Sequence, residues 1–223
     1  MNHTVKHAST DHPILDLISQ RFSPYLFNPR EVEREKLLSC LEAARWAASS
    51  YNEQPWSFIV AERTDQEAFA SMIGCLMEAN QEWAKDAGVL LITVAAETFS
   101  RNNKPNRVCD HDIGLAMGNL SIQATALGLC VHQMAGVNLS KTRQVYSIPD
   151  SHHPLTAVAI GYPGEAADAV NQQFAERDST PRSRKPLAKP GPRSSTNSAA
   201  RYRLLGCMAA RVWSMSWPAS LLS

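Results

Sequence analysis

The sequence has no long hydrophobic run and no excess of charge of either sign. A membrane-spanning helix needs about 20 consecutive apolar residues, and the longest apolar strip, residues 88–96, is far shorter. The 22 Lys and Arg residues nearly balance the 21 Asp and Glu residues, so no overall field attracts nucleic acid or anionic lipid. We therefore expect neither a membrane protein nor a nucleic-acid-binding protein.

Cysteine is also scarce, and its spacing fits neither a disulfide framework nor a zinc site. The five cysteines form no CxxC pair; they are Cys40, Cys75, Cys109, Cys130 and Cys207. Residues 1–16 are polar and rich in histidine, without the apolar centre of a signal peptide. These features predict free thiols and a cytoplasmic location.

Several familiar catalytic and nucleotide-binding motifs are missing. The chain has no GxGxxG, no P-loop, no GxSxG and no HExxH segment. His111-Asp112 is similar to the core of a phosphohydrolase metal signature, but partner ligands on neighbouring helices are not evident. The Cys109-Asp110-His111 run places a nucleophile beside a base, yet successive helical residues diverge by about 100° and form no dyad with each other. We therefore predict no metal site.

What the chain does contain is typical of one globular domain. Hydrophobic residues make up 44% of its 223 residues, enough for a sizeable core. Apolar periodicity predicts helices that begin near residues 11, 32, 65, 110 and 140. Strands are predicted at 56–61, 88–95 and 155–162, with a short strand or loop at 131–137. Because helices and strands interleave, we expect a sheet covered by helices.

Two glycines interrupt the longest predicted helix, residues 110–129. Gly114 and Gly118 lie four residues apart, and each costs about 1 kcal/mol relative to alanine inside a helix. Such a pair indicates close helix packing, either within the core or at a subunit interface. The sequence leaves both alternatives open.

The composition changes near the end of the chain. No Asp or Glu follows Asp178, and residues 189–199 are dominated by Pro, Gly, Ser and basic residues. We predict three regions: a loose lead at 1–10, a folded domain at 11–187, and an atypical basic and apolar tail at 188–223 that is disordered.

Donors suited to phosphate and to amide edges occur at three distant places. Arg21 and Ser23 follow the first predicted helix, a polar run fills residues 49–54, and basic residues fill 182–185. Arginine matches phosphate with two hydrogen bonds, and Asn and Gln pair with carbonyl and N–H edges. Each segment by itself is also typical of an ordinary polar loop.

In chain order, these segments resemble the FMN-dependent nitroreductase family. Residues 21–27, RFSPYLF, are similar to its RxSxRxF entry motif. Residues 43–58, AARWAASSYNEQPWSF, are similar to its EAARWAPSxxNxQPWxF signature, which is the most specific match.

Three further segments extend the resemblance to about residues 11–187. Asn119-Leu120, residues 126–129 and residues 132–137, HQMAGV, are similar to the family's central helix and the turn after it. Residues 159–163, AIGYP, resemble its last core strand, and residues 182–187, RSRKPL, its closing basic motif.

The resemblance implies an α+β fold, a three-layer α/β/α sandwich with a mixed central sheet. It also implies a homodimer with FMN at the interface, NADH or NADPH as hydride donor, and no catalytic side chain, because the flavin carries the chemistry. By position, the implied cofactor-binding residues are Arg21, Ser23, Tyr25, Ser49, Ser50, Asn52, Gln54, Met134, Ala135, Gly136, Arg182 and Arg184.

The chain departs from the family pattern at Tyr25, which replaces the second arginine of the entry motif, and in residues 188–223. The function implied is ping-pong hydride transfer from NAD(P)H through FMN to a nitroaromatic, a quinone or a similar flat acceptor. Alternatives on the same scaffold are a flavin-dependent dehalogenase, an enone or semialdehyde reductase, or a flavin-binding protein with little turnover. A lipid- or nucleic-acid-binding protein acting through the basic tail is a further alternative.

Overall fold

The computed structural model describes residues 6–165, 169 and 171–186. Its helices are α1 (Asp16–Gln20), α2 (Arg34–Arg45), α3 (Gln66–Ile73), α4 (Glu78–Ala84), α5 (Cys109–Ala126), α6 (Leu139–Val145) and α7 (Gln172–Ser179), with a 3₁₀ turn at Ser50–Asn52. Its strands are β1 (Phe27–Asn28), β2 (Trp56–Glu62), β3 (Val89–Ala96), β4 (Cys130–Met134) and β5 (His152–Pro163).

The chain divides into two units. Residues 1–182 form the first and contain all of these helices and strands, and residues 183–223 form the second. Only 183–186 of the second unit are described, so the predicted tail at 188–223 lies outside the described residues. Residues 1–5 of the predicted lead lie outside them as well.

The sheet is organised around β5. This strand pairs with β3, β4 and β1, and β3 pairs in turn with β2. These four pairings are antiparallel. The predicted α+β sandwich is confirmed, whereas the mixed character expected of its sheet is not seen among the described strands.

Strand β3 separates two hydrophobic cores and is buried on both faces, which explains its continuous apolar sequence. One face carries Leu90, Ile92 and Val94, and the other carries Val89, Leu91 and Ala95. The first core includes residues of α3, α4 and α7, namely Phe69, Met72, Trp83 and Phe174. The second includes residues of α2 and α5, namely Leu37, Cys40, Ala44, Ile113, Met117 and Leu120.

Helix α5 confirms the longest predicted helix and ends close to the expected place. Gly128 follows it with φ of 75°, a left-handed conformation that suits a glycine stop. Neither α5 nor any other helix in the described part of the chain combines the length and apolarity needed to cross a membrane.

The sequence does not predict three of the short elements, which are β1, α4 and α7. A two-residue strand has no measurable periodicity, and helices of seven or eight residues cover barely two turns. The first predicted helix is also shorter than expected, since α1 begins at Asp16 rather than near Asp11. None of the α1 residues is buried, and Ile14, Leu15 and Ile18 at this place are 43%, 70% and 45% exposed.

Candidate functional site

The fold brings Arg182, from the last predicted phosphate-binding segment, to the segment that carries Arg21. The guanidinium of Arg182 donates hydrogen bonds to the backbone carbonyls of Ser19 and Arg21, 163 and 161 residues earlier in the chain. Arg21 Nη1 in turn donates to Ser23 Oγ at 3.2 Å. Arg182 is therefore held against the chain segment that carries the Arg21 guanidinium and the Ser23 hydroxyl, and these are the kinds of donor that suit a phosphate.

The loop at residues 21–26, here the entry loop, is held in place by a residue that the sequence analysis missed. Asp178 is only 3% exposed, and its Oδ2 accepts hydrogen bonds from the backbone N–H groups of Tyr25 and Leu26 at 2.9 and 2.8 Å. Burial raises the pKa of this carboxyl, although the two backbone hydrogen bonds and nearby Lys6 oppose the shift. The available signal was its place as the last acidic residue of the chain.

Tyr25, at the position of the family's second arginine, lies in an aromatic cluster. Its ring stacks on Phe174 with an interplanar angle of 2° and meets Trp83 and His132 edge-on. The guanidinium of Arg177 lies 5.0 Å from the ring centroid. The aromatic ring thus fixes the entry loop against α4, β4 and α7, and its contribution to flavin binding stays a prediction.

Two titratable groups of β4 lie beside the entry loop. His132 Nδ1 is 2.6 Å from the carbonyl oxygen of Pro24, so this nitrogen carries a proton and donates it. Burial lowers the pKa of His132. The hydrogen bond to Pro24 and the nearby Asp178 oppose this shift, and Arg21 adds a smaller lowering effect. Burial raises the pKa of Cys130 to about 12, so this thiol is not a nucleophile at neutral pH.

The second predicted group, the loop at residues 49–54, has a strained backbone. Tyr51, Asn52 and Gln54 have φ of 55°, 56° and 54°, in the left-handed region that residues other than glycine avoid. Such strain persists only where surrounding contacts impose it, and it is concentrated at functional sites. The side chains of Asn52 and Gln54 are exposed, so they are available to a ligand.

Neighbouring side chains impose this conformation. Asp112, only 2% exposed, accepts a hydrogen bond from the backbone N–H of Ser50 at 3.0 Å. Ser49 Oγ accepts one from the N–H of Gln54 at 3.0 Å, and Glu53 Oε1 accepts one from the N–H of Ser100 at 2.7 Å. The first turn of α5 therefore positions the loop through Asp112, which the sequence analysis assigned no role.

The third predicted group is the turn after β4. The carbonyl of Gly136 accepts hydrogen bonds from the Met77 N–H and from Asn80 Nδ2, both at 3.0 Å. A Cβ at Gly136 would lie 2.3 Å from Asn80 Nδ2, so any larger residue there would displace the Asn80 amide. Ala135 is exposed, whereas Met134 is 5% exposed with its side chain in the core.

The strand positions beside the entry loop and beside the 49–54 loop are far apart in the sheet of one chain. His132, beside the entry loop, pairs with Ala159 of β5. Trp56, beside the 49–54 loop, pairs with Ala95 of β3, which in turn pairs with His153 of β5. Six residues along β5 and three strand spacings across the sheet separate these positions by about 25 Å. The structure therefore brings residues 19–21 and Arg182 together, whereas the strand position beside the 49–54 loop lies elsewhere on the sheet.

Arg184 belongs to the second unit of the chain. Its Nη1 donates a hydrogen bond to the backbone carbonyl of the preceding Ser183 at 2.8 Å. Its predicted role in cofactor binding stays a prediction.

Comparison with known proteins points to one family. Residues 18–162 match the model of the nitroreductase family. A solved structure described as an oxidoreductase containing FMN is 33% identical, with a TM-score of 0.76 over 84% of this chain and 96% of that chain. An FMN-dependent nitroreductase from Clostridium difficile R20291 is 25% identical, with a TM-score of 0.58 over 70% of this chain and 91% of that chain.

A curated relative has a name that mentions a nicotinamide cofactor. This protein, from Methanothermobacter thermautotrophicus, has a name that includes the words NADH dehydrogenase/NAD(P)H nitroreductase. It is 28% identical over 159 residues, which are 68% of this chain and 78% of the relative.

Proposed function

Because the chain belongs to the nitroreductase family, we propose that it binds FMN and passes electrons from NAD(P)H to a nitroaromatic, a quinone or a similar flat acceptor. The observation that carries the proposal is the cluster of Arg21, Ser23 and Arg182, assembled from the two ends of the domain. The relatives described as containing FMN or as depending on it support the same cofactor.

The residues present fit FMN by the chemistry of their donors. Arg21, Ser23 and Arg182 offer guanidinium and hydroxyl groups for the phosphate and ribityl chain. Asn52 and Gln54 offer exposed amides for the polar edges of the ring system. The turn at Ala135 and Gly136 offers backbone N–H groups where negative charge would accumulate on reduction.

When bound, FMN supplies the redox chemistry by accepting a hydride from NAD(P)H and returning electrons to the second substrate. The residues of the chain itself would bind the cofactor and orient it. Asp178 and Tyr25 fix the entry loop, so Arg21 is held in place before the cofactor arrives. Asp112 and Glu53 fix the 49–54 loop in its strained conformation, which limits the ordering that binding requires.

We further propose that each flavin site is built by two copies of the chain. The strand positions beside the two loops, His132 and Trp56, are about 25 Å apart along and across the sheet of one chain, and an extended FMN molecule is shorter than this. A partner that places its own 49–54 loop beside the entry loop of the first chain would complete the donor set.

Exposed apolar surface supports this homodimer. On α5, Leu115 is 40% exposed, and a Cβ added at Gly114 or Gly118 would meet no described atom within 4 Å. These glycines are therefore not needed for packing within the described chain, which favours the subunit interface among the two alternatives from the sequence. Trp46 and Tyr51, before and inside the 49–54 loop, are each 73% exposed.

The described cysteines support the predicted cytoplasmic location. Cys40, Cys75, Cys109 and Cys130 are free and buried, as expected in a reducing compartment. Cys207 lies outside the described residues.

Two measurements on the purified full-length protein test the proposed function. The protein should be yellow, and NADH or NADPH should bleach its flavin absorbance under anaerobic conditions. Initial rates with both substrates varied should give parallel double-reciprocal lines, because donor and acceptor use one site in turn. Bleaching without turnover on any nitroaromatic or quinone would favour a flavin-binding protein, and a colourless protein that cannot be loaded with FMN would refute the proposal.

A further inference from the structure

A cluster of titratable side chains lies at the edge of the domain, outside the residues assigned to FMN. It consists of Glu97, Cys109, Asp110 and His153, here the His153 cluster. Glu97 follows β3, Cys109 and Asp110 begin α5, and His153 is the second residue of β5. In the sequence, Cys109 and Asp110 are followed directly by His111, and nothing in the residue spacing indicates that β5 brings His153 to them.

The backbone around this cluster is fixed by hydrogen bonds. Ala96 and His152 are paired in the sheet, and the Glu97 N–H donates to the Ser151 carbonyl at 3.0 Å. The Asn106 N–H donates to the Glu97 carbonyl at 2.7 Å, which fixes the segment that leads into α5. Pairing within the sheet and the hydrogen bonds before α5 therefore fix the backbone that carries the cluster.

Both ring nitrogens of His153 face carboxylates. Nδ1 lies 2.9 Å from Glu97 Oε1, and Nε2 lies 2.8 Å from Asp110 Oδ1. A neutral imidazole has one N–H and one lone pair, so it can satisfy only one of these two acceptors. The other carboxylate then faces the imidazole lone pair, an arrangement that either a proton or a metal cation between the two atoms would stabilise.

Cys109 completes a set of metal ligands on the Asp110 side of the ring. Its Sγ lies 3.7 Å from Asp110 Oδ1, and one ligand atom from each of Cys109, Asp110 and His153 lies within 4.8 Å of the others. In a tetrahedral zinc site, bonds of about 2.0 Å to N and O and about 2.3 Å to S place neighbouring ligand atoms about 3.3–3.7 Å apart. Small side-chain rotations would reach this geometry.

The surroundings suit a metal that exchanges with solvent. Cys109 is 7% exposed, whereas the side chains of His153 and Asp110 are 27% and 55% exposed. The buried thiol closes one side of the cluster, and the exposed side leaves room for a water molecule as fourth ligand. Glu97, on the far ring nitrogen, matches the carboxylate that commonly orients a zinc-bound histidine.

We propose that Cys109 Sγ, Asp110 Oδ1 and His153 Nε2 form a Zn²⁺ site, with Glu97 as the positioning residue for His153. A mixed thiolate, imidazole and carboxylate set favours zinc over magnesium or calcium, which prefer oxygen ligands alone. Two of the three ligands, Cys109 and Asp110, lie in the first turn of α5. The same turn carries Asp112, which accepts a hydrogen bond from Ser50 in the 49–54 loop. It is separate from the donors assigned to FMN, and its occupancy is measurable without turnover.

The test uses full-length protein stripped with a chelator, desalted and dialysed against low-micromolar ZnCl₂, with bound zinc measured by elemental analysis. We expect one zinc per chain. His153→Gln and Asp110→Asn should each abolish stoichiometric binding, and Glu97→Gln should weaken it by about 10- to 100-fold. His152→Gln is the matched control, because this neighbouring histidine contacts Ser151 instead of the cluster, and it should leave zinc binding unchanged.

A second measurement identifies the thiolate ligand. Co²⁺ added to the chelator-treated protein should produce a thiolate-to-cobalt charge-transfer band in the difference spectrum, and Cys109→Ser should remove that band. Circular dichroism identifies any variant that fails to fold, and the half-exposed Asp110 makes Asp110→Asn the variant with least effect on folding. Absence of zinc from the wild-type protein, or one zinc per chain in folded Asp110→Asn and His153→Gln, would overturn the proposal.

Discussion

Asp178 binds the backbone of Tyr25 across 153 residues of sequence. Its carboxylate accepts the Tyr25 N–H at 2.9 Å and the Leu26 N–H at 2.8 Å, although most carboxylates lie in water and Asp178 is 3% exposed. The chain thus uses a buried acid in α7 to shape the loop that presents Arg21. If Arg21 binds the phosphate as proposed, this relationship links the stability of the domain to its binding of the cofactor.

Asp178→Ala should destabilise the protein by about 1–3 kcal/mol, because it removes the acceptor of two partly buried N–H groups. Urea unfolding of the flavin-free protein measures the change. Asp150→Ala is the matched control, since Asp150 is fully exposed and lies 3.8 Å from Arg143; such a surface pair contributes little. Equal unfolding midpoints for the two variants would contradict the role given to Asp178.

The same carboxyl predicts a pH dependence. Burial raises the folded-state pKa of Asp178 above its unfolded value of about 3.9. Its contribution to stability is therefore fully present below pH 4 and is lost as pH rises through the raised pKa. Asp178→Asn does not titrate, so the stability of wild type minus that of the variant should decrease from pH 4 to pH 7. Urea unfolding curves of both proteins at pH 4 and pH 7 measure this stability difference. A stability difference that increases with pH would contradict a raised pKa for Asp178.

Arg21→Ala should weaken FMN binding by about 10- to 150-fold. A charge-assisted hydrogen bond to phosphate contributes about 1.5–3 kcal/mol, and Tyr25 leaves no second arginine in the entry loop. Fluorescence titration of the flavin-free protein with FMN gives the dissociation constants. Arg34→Ala is the control, because Arg34 pairs with Glu62 on the surface. Equal FMN affinity in the two variants would remove Arg21 from the site.

Gly136→Ala should lower the free energy of unfolding by about 0.5–1.5 kcal/mol, because the alanine Cβ would displace the Asn80 amide that donates to the Gly136 carbonyl. Asn80→Ala removes that amide in advance. In the Asn80→Ala background the Gly136 substitution should therefore cost much less, a coupling that a double-mutant cycle measures directly. Additive costs would mean that the turn requires glycine for another reason.

Gly118→Arg should produce monomers that retain the fold but bind FMN poorly. The position is exposed, open on the described chain and helical, so arginine should not destabilise the monomer. Size-exclusion chromatography with light scattering gives the mass, and circular dichroism gives the fold. Ala70→Arg, at an exposed position of α3, is the control. A dimer that keeps its flavin in the Gly118 variant would place the interface elsewhere.

The sequence by itself determined the layered α+β fold and the identity of the family. The apolar run that became β3 must be buried on both faces, and the period of α5 and α2 leaves one face for the core. The motif around residues 43–58 can be recognised because its residues are contiguous, and one of the hydrogen bonds in its loop, from the Gln54 N–H to Ser49 Oγ, joins residues close in sequence. Such local interactions can be predicted from the order of residues.

Only the tertiary structure decided which distant residues meet. Asp178 and Tyr25, Asp112 and Ser50, and His153 and Asp110 are 153, 62 and 43 residues apart. Their meeting depends on sheet register and on helix placement, and neither leaves a pattern in the spacing of residue types. The separation of the entry loop from the 49–54 loop likewise follows from antiparallel pairing around β5. Periodicity reports which face of an element is buried, while strand pairing decides which side chains share a site.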